Sequence, residues 1–313
     1  MTSLRKSRFD ALAVRLREYE KGTSELPGLA DEARRKSFLE QLLDSTRRTE
    51  YVKTMLGRDV SFGRRDPAKA SFDPVLAAIA HIRDGNVDEA CWLTFLGVQF
   101  GKHRIDGWAL CRAVYGRLGA GPISYWIRTA HDACDLCDWI ESRASEIRNG
   151  PPPRRFGNHR KYESLIDKGS RGTPVTIKSY VAWVKAAGSH DALFRRVIAE
   201  CNGDRYQAFH RLYQSMDAVA SFGRLAKFDY LSMIGKLKIA DIGAGSTYLG
   251  SSTGPMKGAR MLLHQLGEKP PHVKAMEHRL RELGEHLDVT MQDLEDAICN
   301  WQKSPDCYVP YRG

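Results

Sequence analysis

The chain has 313 residues, and 42% of them are hydrophobic, enough to bury a sizeable core in one large domain or two smaller ones. Lys and Arg number 48 against 38 Asp and Glu, a formal net charge of +10 that favours a polyanionic partner such as DNA through counterion release. There is no run of about 18 apolar residues, and residues 1–17 mix apolar with charged side chains, so neither a membrane span nor a secretory leader is expected.

Periodicity reads almost every segment as helix. Phe38, Leu39, Leu42 and Leu43 recur at helical spacing. Residues 74–83 form a second helix, stopped by Asp84-Gly85-Asn86, and residues 87–100 a strongly apolar third carrying Trp92, Phe95 and Leu96. A further helix starts at Asp106 or Gly107 and ends by Gly119. Residues 129–147 read as one long helix with Leu136, Trp139 and Ile140 on its buried face. Pro151-Pro152-Pro153 cannot be helix interior, and with Arg154, Arg155, Arg160 and Lys161 it makes residues 151–173 a basic linker between an N-terminal lobe (1–150) and a C-terminal lobe (174–313). The second lobe reads as helices from near Pro174, then 191–201, 205–221, 226–237, 255–266, 272–287 and 290–303, with a Gly/Ser-rich loop at 243–254. The fold expected is all-α and multi-helical, with DNA held between the lobes.

The seven cysteines (Cys91, Cys111, Cys134, Cys137, Cys201, Cys299, Cys307) are odd in number and irregularly spaced, as reduced thiols are. Cys134 and Cys137 form a CxxC without a second ligand pair, so core thiols are expected there rather than a metal site.

Four constellations carry possible chemistry. Thr253-Gly254-Pro255 precedes a helix, with Thr253 suited to cap it and Pro255 suited to its first turn. Gly254 and Gly258 let a phosphate approach, and Lys257 and Arg260 add charge, in a spacing that resembles a helix-hairpin-helix loop of the DNA glycosylase superfamily. An ordinary capped helix explains it equally well. Phe100-Gly101-Lys102-His103-Arg104-Ile105-Asp106 joins two apolar helices; Lys102, His103 and Arg104 can meet a diphosphate or carboxylate, and Asp106 can orient His103 as a general base. On pattern alone, a solvated turn is the commoner outcome. In residues 221–230, Arg224 and Lys227 lie a turn apart and Asp229 on another face, with Phe222 and Phe228 read as packing. Asp293 and Asp296 share a face at i, i+3, which can hold a proton or Mg²⁺ but is more often a solvated face. There is no GxxxxGK(S/T) phosphate loop.

Four stretches together resemble a known family: residues 38–58 (FLEQLLDSTRRTEYVKTMLGR), 84–118 (DGNVDEACWLTFLGVQFGKHRIDGWALCRAVYGRL), 206–237 (YQAFHRLYQSMDAVASFGRLAKFDYLSMIGKL) and 246–263 (STYLGSSTGPMKGARMLL), with a looser match at 294–301. They are similar to phage amino acid:DNA transferases, the α-glutamyl/putrescinyl thymine pyrophosphorylase group, over most of the chain from about residue 35; FGKH and TGPxxGAR are the most specific parts. The resemblance implies an enzyme of the infected bacterial cytoplasm acting on DNA whose thymine methyl carbon bears pyrophosphate. The amine of glycine, ornithine or glutamate would replace the pyrophosphate. It places Lys102, Arg104, Arg224 and Lys227 at the departing polyanion and sets His103, Asp106 and Asp229 as competing bases. Arg154, Arg155, Lys161, Thr253, Gly254, Lys257, Gly258 and Arg260 would lie on DNA. The resemblance names no certain cofactor, and Mg²⁺ assistance stays open. The loop here runs Gly250-Ser251-Ser252-Thr253-Gly254-Pro255 where the family has GATGP, and Asn300-Trp301 depart from the family's final helix, so no role carries over to that helix. A glycosylase-like hydrolase and a non-catalytic DNA binder are the competing readings; the possible His-Asp pair beside cations favours an enzyme.

Overall fold

The computed structural model describes residues 3–264 and 271–310. Among the described residues the chain is all-α: fifteen α-helices, short 3-10 turns and no strand. Two compact units emerge, one from residues 1–52 with 244–312, the other from 53–243. The basic, proline-containing stretch 151–173 therefore lies inside the second unit.

The first unit contains α1 (Ser3–Gly22), α2 (Glu32–Leu56) as far as Val52, α13 (Gly254–Leu263), α14 (Val273–Leu287) and α15 (Met291–Trp301). No helix was expected over α1, whose frequent charges blur its apolar face, yet Leu16 and Tyr19 are buried in the core with Phe38, Leu262, Leu280 and Trp301. Helices α13 and α15 touch backbone to backbone at Gly258, where an added Cβ would stand 2.3 Å from the Ile298 carbonyl oxygen. Of the expected helix 255–266, residues 265 and 266 lie outside the described residues.

The second unit is built round α4 (Val87–Phe100), which is buried on nearly all sides, as a helix apolar all round must be. The Asn86 side chain accepts from the Glu89 N–H at 3.2 Å to start it, and Gly101 at φ 66° ends it. Preceding it, α3 (Pro74–Arg83) is capped by Asp73, which also accepts the Trp108 indole N–H at 3.0 Å. Both α3 and α4 have the expected bounds. Helix α5 (Ala109–Tyr115) follows. The single helix expected over 129–147 is instead three: α6 (Trp126–His131), α7 (Ala133–Ser142) and α8 (Ala144–Asn149). Asp132 takes an extended backbone and caps the Cys134 and Asp135 N–H groups, which breaks the run. That turn leaves Cys134 exposed while Cys137 is buried, so only one of the expected core thiols is one. Helices α9 (Thr173–Lys185), α10 (His190–Glu200), α11 (Arg205–Ser215) and α12 (Arg224–Lys236) complete the unit. Trp92, Phe95, Tyr180, Phe222 and Tyr230 form its aromatic centre, with Phe95 and Tyr180 stacked at 3.8 Å.

Candidate active site

The second unit brings together residues far apart in the chain at the C-terminal end of α4. Gly157 lies against Gly101: its N–H donates to the Phe100 carbonyl at 2.8 Å, and a Cβ on Gly157 would meet the Gly101 backbone at 2.8–2.9 Å. Only two glycines permit this crossing. Just beyond it, His103 and Gly107 exchange backbone hydrogen bonds, both 2.9 Å, and close a tight turn.

Within the turn, His103 Nδ1 lies 3.1 Å from Asp106 Oδ2. Asp106 is fixed by Arg155, whose Nε and Nη2 each donate at 2.8 Å and whose backbone N–H donates at 3.1 Å. Arg155 holds the Asp106 carboxyl below the usual carboxylate range, with His103 adding to the effect, so the group beside His103 is ionised. The Asp106 N–H also points at Nδ1, at 3.2 Å. The Ile105 N–H points at the same nitrogen, at 3.4 Å, so Nδ1 meets two backbone donors beside the ionised carboxylate. Lys102 and Arg104 flank the pair and are exposed; Lys102 Nζ stands 5.9 Å from the Trp108 ring centroid.

Arg160, which carried no assigned role in the sequence, joins this turn to the start of α12. Its Nε donates to the Val98 carbonyl at 3.0 Å, satisfying the end of α4. Its guanidinium lies 5.3 Å from the Phe222 centroid, and it is 8% exposed. Burial lowers its pKa while Asp229 and Glu163 oppose the shift, so Asp229 belongs to the same electrostatic cluster. Arg224, the first residue of α12, is half-buried with its guanidinium 5.6 Å from the Phe228 centroid. The FGKH and SFGRLAKFD segments are thus neighbours through Arg160. No local pattern marks that arginine among the basic residues around it.

Other expected site residues stand apart. Lys227 is buried, ion-paired with Asp217 and 4.2 Å from the Tyr213 centroid, so its charge is matched internally. Arg154 donates to the Glu146 and Ile147 carbonyls at the end of α8, and Arg155 is engaged by Asp106; Lys161 is exposed. In the first unit, Thr253 precedes α13 but makes no side-chain cap, because its own backbone is already helical. Thr253, Lys257 and Arg260 are exposed there, Gly254 is half-buried, and Gly258 is occupied by packing on Ile298. Asp293 belongs to a capping box with Thr290 and accepts from Thr49 at 2.6 Å; Asp296 accepts from Ser45 at 2.6 Å and pairs with Arg48. Those two carboxylates are structural. Among the described residues no group of three His, Cys, Asp or Glu is arranged to hold a metal ion.

Sequence reasoning also missed a buried polar chain at the other end of α4. Asp88 Oδ1 lies 2.6 Å from His190 Nδ1, His190 Nε2 lies 2.7 Å from the Tyr180 hydroxyl, and that hydroxyl lies 2.9 Å from that of Tyr230. Beside it Glu89, 2% exposed, accepts from the Tyr115 hydroxyl and the Trp126 N–H, both at 2.7 Å. Burial pushes the Glu89 pKa up to about 7.

Compared with known proteins, a family model described as alpha-glutamyl/putrescinyl thymine pyrophosphorylase clade 3 matches residues 33–313. No curated protein and no solved structure matches the chain.

Proposed function

The chain belongs to the alpha-glutamyl/putrescinyl thymine pyrophosphorylase clade 3 family, and from that premise we propose that it is an amino acid:DNA transferase. In this reading it replaces the pyrophosphate on the exocyclic carbon of 5-pyrophosphomethyluracil in DNA with the amine of glycine, ornithine or glutamate. The observation that carries the reading is the His103–Asp106 pair at 3.1 Å, locked by Arg155 and flanked by Lys102 and Arg104.

The reaction forms a C–N bond and breaks the C–O bond to the diphosphate, which leaves with the electron pair. Charge therefore accumulates on the departing oxygen, where fixed cations lower the barrier. Lys102, Arg104 and Arg224 supply them. An amine is protonated at neutral pH and must lose a proton to attack; the His103 imidazole takes it, with Asp106 beside the ring balancing the imidazolium that forms. Arg160 keeps Asp229 within the same cluster. Lys227 is left out of the mechanism because Asp217 already neutralises it. The start of α13, with exposed Thr253, Lys257 and Arg260, serves as a helix-hairpin-helix-like anchor for a DNA phosphate.

The test is incubation with 5-pyrophosphomethyluracil DNA and each amino acid, ornithine included, followed by digestion to nucleosides and mass measurement. A nucleoside carrying one amino acid, with pyrophosphate released, is expected. Abasic sites, or no adduct with any amine, reject the transferase.

A further inference from the structure

Ile105, Tyr162 and Ile166 are exposed apolar side chains on the segments that the site clamps together, the first two the most exposed. Ile105 is 72% exposed, at the tip of the turn closed by the two His103–Gly107 backbone bonds. Tyr162 is 90% exposed, with Lys161 Nζ 5.0 Å from its ring centroid. Leaving an isoleucine and a tyrosine in water forgoes the burial that stabilises such residues elsewhere, and these two are not on floppy ends. Ile105 is adjacent to Asp106, which holds Arg155 by two 2.8 Å bonds, and the same strap is pinned at Gly157 on Gly101 before it reaches Tyr162. Both side chains therefore project from a braced support.

The surroundings are cationic. Lys102, Arg104, Lys161, Lys168 and Arg171 are exposed on these segments, and Asp167 is the exposed acid among them. An apolar wedge and an aromatic ring within a rim of lysine and arginine match one chemistry: a polyanion with stacked rings that can be parted.

We infer that residues 102–106 and 155–168 form a DNA-contacting surface on which Ile105 enters the base stack, Tyr162 receives a base turned out of it, and Lys161 and Lys168 hold phosphates. This rests on the reading of DNA as the substrate and adds how the target base is presented. Chemistry on a base inside a duplex requires that base to leave the stack, and wedge and platform together make its departure favourable.

The test is fluorescence anisotropy with a fluorescein-labelled duplex, either fully paired or with one central mismatch, across a salt series, together with 2-aminopurine placed beside the mismatch to report unstacking. Tyr162→Ala and Ile105→Ser alter exposed side chains, and unchanged thermal melting confirms intact folds. Tyr162→Ala weakens binding of the mismatched duplex by about tenfold with an unchanged salt slope. Ile105→Ser removes most of the 2-aminopurine rise. Lys161→Ala and Lys168→Ala each lower the salt slope by about 1. Binding and fluorescence equal to wild type in both Tyr162→Ala and Ile105→Ser overturn the inference, even where amino-acid transfer is intact. Losses in those variants uphold the surface even where no transfer occurs, and a wild-type protein that binds no duplex at low salt overturns the surface and the DNA substrate together.

Discussion

Glu89 offers a direct test of how this unit is held. Its carboxyl is closed to solvent, accepts from Tyr115 and the Trp126 N–H, and has its pKa moved by burial from 4.5 to about 7. A raised value means that the folded state holds the proton more tightly than the unfolded chain. The resulting stabilisation is whole below pH 4.5, declines as the unfolded state ionises, and is gone once pH passes about 7. A difference of that size corresponds to about 3 kcal/mol. Glu89→Gln stays neutral throughout and can donate its amide N–H to the Tyr115 hydroxyl oxygen while accepting from Trp126. Urea unfolding of wild type and variant at several pH values between about 4 and 8.5 gives their stability difference without interference from other titrating groups. The variant should gain about 3 kcal/mol on wild type across that range. A difference that stays flat with pH would show that Glu89 ionises normally and refute the burial argument.

Three further outcomes follow from the site. His103→Ala lowers transfer by roughly 10²–10⁴-fold in single-turnover assays while duplex binding is kept; full activity removes His103 as the base. Arg155→Ala frees Asp106, whose ionisation moves back up toward the ordinary range, so the acid limb of the pH–rate profile shifts upward; an unmoved limb separates Asp106 from catalysis. Gly157→Ala drives a methyl into the Gly101 backbone and costs about 1–3 kcal/mol in denaturant titration, whereas an unchanged midpoint shows that the crossing is looser than described.

Legibility from sequence tracked the range of the interaction. Helix α4 could be read at both ends because Asn86 and Gly101 act on their own neighbours. The division at Asp132 was readable in principle, since a capping residue stands inside the alanine-rich run, but helical propensity on either side masked it. Helix α1 escaped because charge is spread round it, and its two buried side chains find partners only in distant helices. At the site, proximity in sequence pointed to His103 beside Asp106, and the two lie 3.1 Å apart. That Arg155 locks Asp106 from 49 residues away, or that Arg160 rather than Lys161 turns inward, depends on where the strap crosses α4, and one glycine opposite another leaves no local trace. Lys227 misled for the same reason: Asp217 lies on the preceding turn and captures its charge.

The first unit is discontinuous, residues 1–52 being completed by 244–312, and this sets an order of events on the ribosome. The apolar side chains Phe38, Leu39 and Leu42 emerge early, but Leu262, Leu280 and Trp301, which cover them, are synthesised only after the whole second unit. At ordinary elongation speeds that interval is roughly 10–40 s. The second unit has all its sequence before the first can close. For that interval the apolar face of α2 has only Leu16, Tyr19, Leu26 and Leu29 of its own cluster beside it, and the rest of that face is open to a chaperone.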